Sequence, residues 1–279
     1  MGRVAIVTDS AAELPTSLVE ELGITVVPWH LGKGPSTLED GPELWTPSFF
    51  QDARRKRALP SAVPPRSSQF AGVYAKLARD AEEIVSIHAS SEMGQAVRAA
   101  QRARASLLGR CDVHVVDSMF VSKALGLLVI RASQAARDGA DGAAIVRLVN
   151  GLIPRTYLAF HVDSLDYLER NGLYSNSRDA ESGLPRSLLM MEAGQIVPLR
   201  RSRKRGTPVE RLVEFISEFD DLEELVILHS GLSGGLNEMR ACLGECLPER
   251  LFEEHCYGPV LATRIGPNAL GVVAFEGSV

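Results

Sequence analysis

Hydrophobic positions in this chain fall into short β-branched runs that stop at a hydroxyl or carboxylate, separated by longer stripes of helical period. Residues 3–8 predict a strand ending at Asp9-Ser10, residues 84–88 one ending at Ser90-Ser91, and residues 113–116 one ending at Asp117-Ser118. A further strand is expected over 24–31, followed by a polar, Pro- and Gly-containing loop to 46. Apolar spacing of three and four predicts helices over 16–22, 47–57, 69–79, 94–108, 122–137 and 142–152. Strands alternating with helices of this length imply βαβ units and right-handed crossovers, hence an α/β domain with a doubly wound parallel sheet. In such sheets the ligand crevice lies outside the carboxyl ends of the strands, so Asp9, Ser10, Ser90, Asp117 and Ser118 are candidates to line it.

Past Pro154 the pattern changes. A strand over 157–162, a short helix over 165–169 and two short strands over 188–191 and 196–199 around Gly194 come first. A helix over 209–219, a strand over 225–228, a helix over 236–246 and a last strand over 270–275 follow. This reads as a second α/β domain with a mixed sheet, giving domains at 1–153 and 154–279.

With 279 residues, 45% of them hydrophobic, the chain can build two cores. Its net charge of -5 argues against a nucleic-acid backbone as the main partner. The basic run Arg200-Arg201-Ser202-Arg203-Lys204-Arg205 has no interleaved aromatic residue for base stacking, and reads as a solvated face or a partner surface. No apolar run approaches the ~20 residues of a membrane span, and Met1-Gly2 leads into a strand without the Ser/Thr of a myristoylation signal. The expectation is a cytoplasmic protein whose contact with membranes is at most transient and superficial. Four cysteines are too few for a disulfide framework. Cys242 and Cys246, with His255 and Cys256 behind them, can be drawn as a zinc site, but the segment reads better as an apolar helical stripe followed by a strand, and no metal is expected.

Each polar motif has a ligand-binding and a structural reading. Asp9 and Ser10 either face the crevice or cap the next turn, and Asp117-Ser118 carries the same ambiguity. In the rigid loop Pro60-Ser61-Ala62-Val63-Pro64-Pro65, the prolines hold Ser61 in a fixed direction, while Ser67 and Ser68 suit a helix cap. Arg264, between Gly258-Pro259 and Gly266-Pro267, either presents a fork to a carboxylate or forms a salt bridge.

Taken in order, these segments resemble the DegV family of fatty-acid-binding proteins. The matching pieces are Thr8-Asp9-Ser10 with Leu14-Pro15, Ser90 with Gly94, Asp117-Ser118 with Ser122 and Gly126, Leu165-Asp166-Tyr167-Leu168 with Gly172, Gly194 with Pro198 and Arg203, and Gly258-Pro259 with Gly266-Pro267 and Ala269-Leu270-Gly271. The resemblance implies two α/β domains, a long acyl chain buried in the second, and its carboxylate held between them. Carried over by position, the carboxylate ligands are Ser61, Ser90 and Arg264, and Arg203 falls where a partner fatty acid kinase docks. That kinase would phosphorylate the acyl group, making this chain a carrier rather than an enzyme, with no cofactor besides its lipid. Departures from the family pattern are Arg264 for the usual histidine, Ser61 for threonine, Leu173 for arginine, Met93-Gly94-Gln95 for Ser-Gly-Thr, and a shortened stretch over 176–186. Two other readings stand beside this one: a metal-dependent hydrolase or phosphotransferase using Asp9 or Asp117, and a regulatory module sensing an anionic metabolite.

Overall fold

A computed structural model describes residues 4–32, 37–56, 59–173, 188–199, 206–231, 235–247 and 252–277. Contacts divide the chain into two units. The first comprises residues 1–44, 60–154 and 258–260, and the second comprises 45–59, 155–257 and 261–279.

The first half of the chain runs β1 (Val4–Asp9), α1 (Thr16–Leu22), β2 (Thr25–Val27), β3 (His30–Leu31), β4 (Leu38–Glu39), α2 (Pro47–Lys56), β5 (Ala62–Val63), α3 (Ser67–Leu77), β6 (Glu83–His88), α4 (Ala96–Arg104), β7 (Asp112–Asp117), α5 (Lys123–Arg137) and α6 (Gly142–Leu152). Of these, α2 groups with the second unit. Strands β2-β1-β6-β7 form a parallel sheet in that order. Val7 and Ile84 face α3 and α4, meeting Phe70, Tyr74 and Ala100 in one core. Their neighbours Ile6 and Val85 are as deeply buried on the opposite face, and α5 packs along β1.

Helices of both kinds are set by local chemistry. Asp141 caps α6 by accepting from the Ala144 amide at 2.7 Å, and Gly23 ends α1 in the left-handed conformation that glycine adopts most readily.

The second unit contains β8 (Thr156–His161), α7 (Asp166–Arg170), β9 (Leu188–Glu192), β10 (Gln195–Pro198), α8 (Pro208–Ile216), β11 (Leu222–His229), α9 (Leu236–Cys246), β12 (Phe252–Cys256), α10 (Pro259–Ile265) and β13 (Leu270–Glu276). Its mixed sheet has the order β10-β9-β8-β13-β11-β12, antiparallel except for β11 beside β12. Helices α8 and α9 cover the face carrying Ala159, Leu188, Ile227 and Val272. Alternate residues Leu158, Phe160, Leu189 and Val273 point the other way and are also buried, so the strands are apolar on both faces.

Three expected elements change in detail. The strand over 24–31 is two strands in different sheets: Pro28 has no amide to give a ladder, and the Trp29 amide donates instead to Ser10 Oγ at 2.9 Å. The helix expected from 94 begins at Ala96, and Gly94 ahead of it passes so close to Trp29 that a Cβ there would lie 2.6 Å from the indole. The Gly258-Pro259 segment, for which no helix is expected from the sequence, starts helix α10; Pro259 takes the first helical position, where its missing amide costs nothing.

Candidate functional site

The polar residues at the carboxyl ends of β1, β6 and β7 bind mainly one another. Asp9 is fully buried and accepts four hydrogen bonds: from Trp29 Nε1 at 2.8 Å and the Ala11 amide at 3.2 Å on Oδ1, and from His88 Nδ1 at 2.9 Å and the Ala89 amide at 3.1 Å on Oδ2. Four donors fill a carboxylate's capacity. Beyond His88 the chain continues: its Nε2 lies 2.6 Å from Ser86 Oγ, which accepts from the Tyr74 hydroxyl at 2.8 Å. Where the Ser86 hydroxyl donates to Nε2, His88 is the tautomer with its ring proton on Nδ1, directed at Asp9.

Ser86, His88 and Asp9 thus have the connectivity of a hydrolase triad. Each is fully buried, so no substrate reaches the hydroxyl. Burial also pushes the Tyr74 phenol well above its usual range. The cluster is a polar core that ties α3, β1, β6 and Trp29 together. Sequence reading missed Trp29 and His88 as members; the signal was a histidine closing β6 opposite an aspartate closing its neighbour β1.

Other predicted site residues occupy similar ties. Asp117 accepts from the Ser91 amide at 3.2 Å and the Met119 amide at 3.0 Å. Ser118 closes a turn with the Phe120 backbone, its Oγ both accepting and donating at 3.1 Å. Ser90 is fully buried, and its Oγ accepts the Glu92 amide at 3.2 Å. Ser61 is exposed, and its carbonyl accepts the Gly32 amide at 2.8 Å. Arg203 lies outside the described residues.

Glu13 was also missed. It is buried in the left-handed conformation (φ 51°), accepting the Ser122 hydroxyl on Oε2 and the Gly258 amide on Oε1 at 2.7 Å. Ser122 itself sits at φ 59° and ψ -149°, a region costly to any residue except glycine. Backbone strain at two such linked residues has no signature in single-residue propensities.

In the second unit, Arg264 lies in the last turn of α10 and is only partly exposed. Its Nη1 donates to Asn171 Oδ1, and Asn171 is itself fixed by Nδ2 bonds to the Tyr167 and Thr263 carbonyls at 2.7 and 3.0 Å. Its Nε is buried without any hydrogen-bond partner. Among the described residues no carboxylate pairs with Arg264. Desolvation therefore pulls the guanidinium pKa below its ordinary value with nothing to oppose it. No group of three or more His, Cys, Asp or Glu side chains among the described residues is placed to hold a metal ion.

The model of one protein family, described as "Uncharacterised protein, DegV family", matches residues 3–277. The chain belongs to the DegV family. A DegV domain-containing protein of Streptomyces coelicolor is 32% identical, covering 97% of both chains, and one of Deinococcus radiodurans is 30% identical over 96% of this chain and 97% of the relative. Among solved structures, DegV of Bacillus subtilis, described as a fatty acid binding protein, superposes with a TM-score of 0.84 at 24% identity, covering 99% of this chain and all of that one. A DegV family protein of Thermus thermophilus, whose structure is described as showing fatty acid binding, gives 0.81 at 25% identity over 99% and 100%. The DegV fold is therefore shared along the whole length. No helix among the described residues is long and apolar enough to cross a membrane.

Proposed function

We propose that this DegV chain is a non-catalytic carrier that binds a long-chain fatty acid, with Arg264 as the principal ligand of the carboxylate and the Ser61 and Ser90 hydroxyls as its further donors. The observation that carries the reading is the Arg264 guanidinium, which is partly buried, held in place through a neutral amide, and left with a buried Nε that has no acceptor. A structural arginine at that depth is ordinarily paired. A fork missing its anion is complementary to a carboxylate, which can take two parallel N–H donors.

Leu158, Phe160, Leu189 and Val273 make one face of the second unit's sheet apolar, and an acyl chain lying there would displace the side chains that now bury them. Burying ~16 carbons at about 0.8 kcal/mol each yields roughly 12 kcal/mol before ordering costs, enough for the tail to dominate affinity. The carrier itself needs no cofactor, and it presents the acyl head to a partner fatty acid kinase that docks on Arg203.

Solvent extraction of the purified protein followed by mass spectrometry tests the reading. A long-chain fatty acid near one per chain is expected. Extracts without acyl species, together with failure of the stripped protein to bind added palmitate or oleate, would refute it.

A further inference from the structure

We propose that Asn171 is a positioning residue for the head-group site: it aims Arg264 and keeps the guanidinium's charge unspent, so that the chain prefers a long-chain acid to a neutral lipid with the same tail. The role rests on the carrier reading above, which gives Asn171 no part in selecting the ligand. Asn171 follows α7 directly and ties it to α10. Its backbone amide and its Nδ2 both donate to the Tyr167 carbonyl, at 3.2 and 2.7 Å, and Nδ2 donates again to the Thr263 carbonyl at 3.0 Å. Its Oδ1 accepts from Arg264 Nη1. These contacts allow the side-chain amide one orientation. Turned over, it would set Oδ1 against two carbonyl oxygens and its NH2 against a cation.

Two consequences follow for the charge on Arg264. Tyr167 and Thr263 lie in the last turns of α7 and α10, where free carbonyls readily accept from a nearby arginine. Asn171 occupies both, so the guanidinium is not drawn back onto the backbone. The acceptor it offers in exchange is neutral. An aspartate of the same shape would close an ion pair and fill the fork, whereas an amide oxygen fixes one corner of it and leaves the full positive charge. Nε, buried and without a partner, completes a fork held at one end only. A carboxylate gains charge-assisted hydrogen bonds from such a group, and an alcohol gains one ordinary bond.

Displacement of a fluorescent fatty acid from the full chain by palmitate and by hexadecanol tests this. Asn171→Leu, which keeps the volume and frees both carbonyls to draw Arg264 away, should weaken palmitate about fivefold, and Asn171→Asp should weaken it tenfold or more. Hexadecanol should bind all three proteins alike. Adding Asn171→Leu to Arg264→Leu should change palmitate no further, because a positioning residue has nothing left to position. Equal losses for acid and alcohol would overturn the inference and leave Asn171 a helix cap, as would a fivefold loss that persists in the double variant. If Arg264→Leu weakens palmitate while Asn171→Asp binds it as the parent does, the role of Asn171 falls and the carrier reading stands. A parent protein that binds neither lipid overturns both.

Discussion

Replacing Arg264 with leucine removes the charge while keeping an apolar side chain in the last turn of α10, and it probes the carboxylate site directly. The parent side chain has one fixed contact, to Asn171 Oδ1, and a buried Nε free to donate. If the ligand carboxylate completes that fork, the variant leaves the anion with hydroxyl donors only, a loss of about 2 to 4 kcal/mol. This corresponds to roughly a 30- to 900-fold weaker Kd. Because the tail contributes far more than the head, binding should weaken without disappearing. The assay is displacement of a fluorescent long-chain fatty acid by palmitate and, in parallel, by hexadecanol, which has the same tail and no charge. Leucine should weaken palmitate strongly and leave hexadecanol nearly unaffected. Arg264→His should restore part of the palmitate affinity and make it fall as pH rises through about 6.5, where the imidazolium loses its proton. Unchanged palmitate binding by Arg264→Leu would refute the reasoning, and so would an equal loss for acid and alcohol, since the arginine would then be shaping the fold and not meeting the anion.

Two glycines in helices should respond to alanine with opposite signs. At Gly126 an added Cβ would lie 2.5 Å from the Ala12 carbonyl oxygen, so Gly126→Ala should cost roughly 1 to 3 kcal/mol despite its gain in helix propensity. At Gly244 nothing lies within 4 Å, and Gly244→Ala should stabilise by about 0.5 to 1 kcal/mol; urea midpoints with the reverse order would contradict the packing described. His161 and His229 have pKa values lowered mainly by burial, and His229 Nδ1 accepts the Gly231 amide at 2.9 Å, a bond its protonation would abolish. The unfolded chain then binds more protons, so stability is fully present above about pH 6.5 and declines as pH drops through the lowered folded-state values. His161→Gln with His229→Gln should flatten the urea midpoint between pH 7.5 and 5.5, and an unchanged slope would place the effect elsewhere.

Fold class was legible because the β-branched runs at β1, β6 and β7 and the helical stripes of α1, α5 and α6 express their periodicity without tertiary help. The mixed sheet of the second unit could likewise be read from its shorter strands. What resisted were elements decided by distant partners. Trp29 breaks a strand because its bonding groups are taken by Asp9 and Ser10, twenty positions upstream. Helix α10 begins at a proline that punctuates a loop equally well. At the candidate site, the arginine fork could be named from its residue type. That its nearest partner would be the amide of Asn171, 93 positions away, could not.

The bond from Gly258 to Glu13 spans 245 positions, and it gives the first unit a timing. Protein synthesis is vectorial, and amino-terminal domains commonly fold while the ribosome is still extending the chain. Here the parallel sheet and its helices emerge early, yet the Gly258 amide can reach Glu13 only after 245 further residues have been added. Until then a carboxylate destined for burial has Ser122 but lacks the Gly258 amide. The nascent unit should therefore remain looser around the β1 turn than its early emergence suggests, and the arrival of Gly258 should act as a latch.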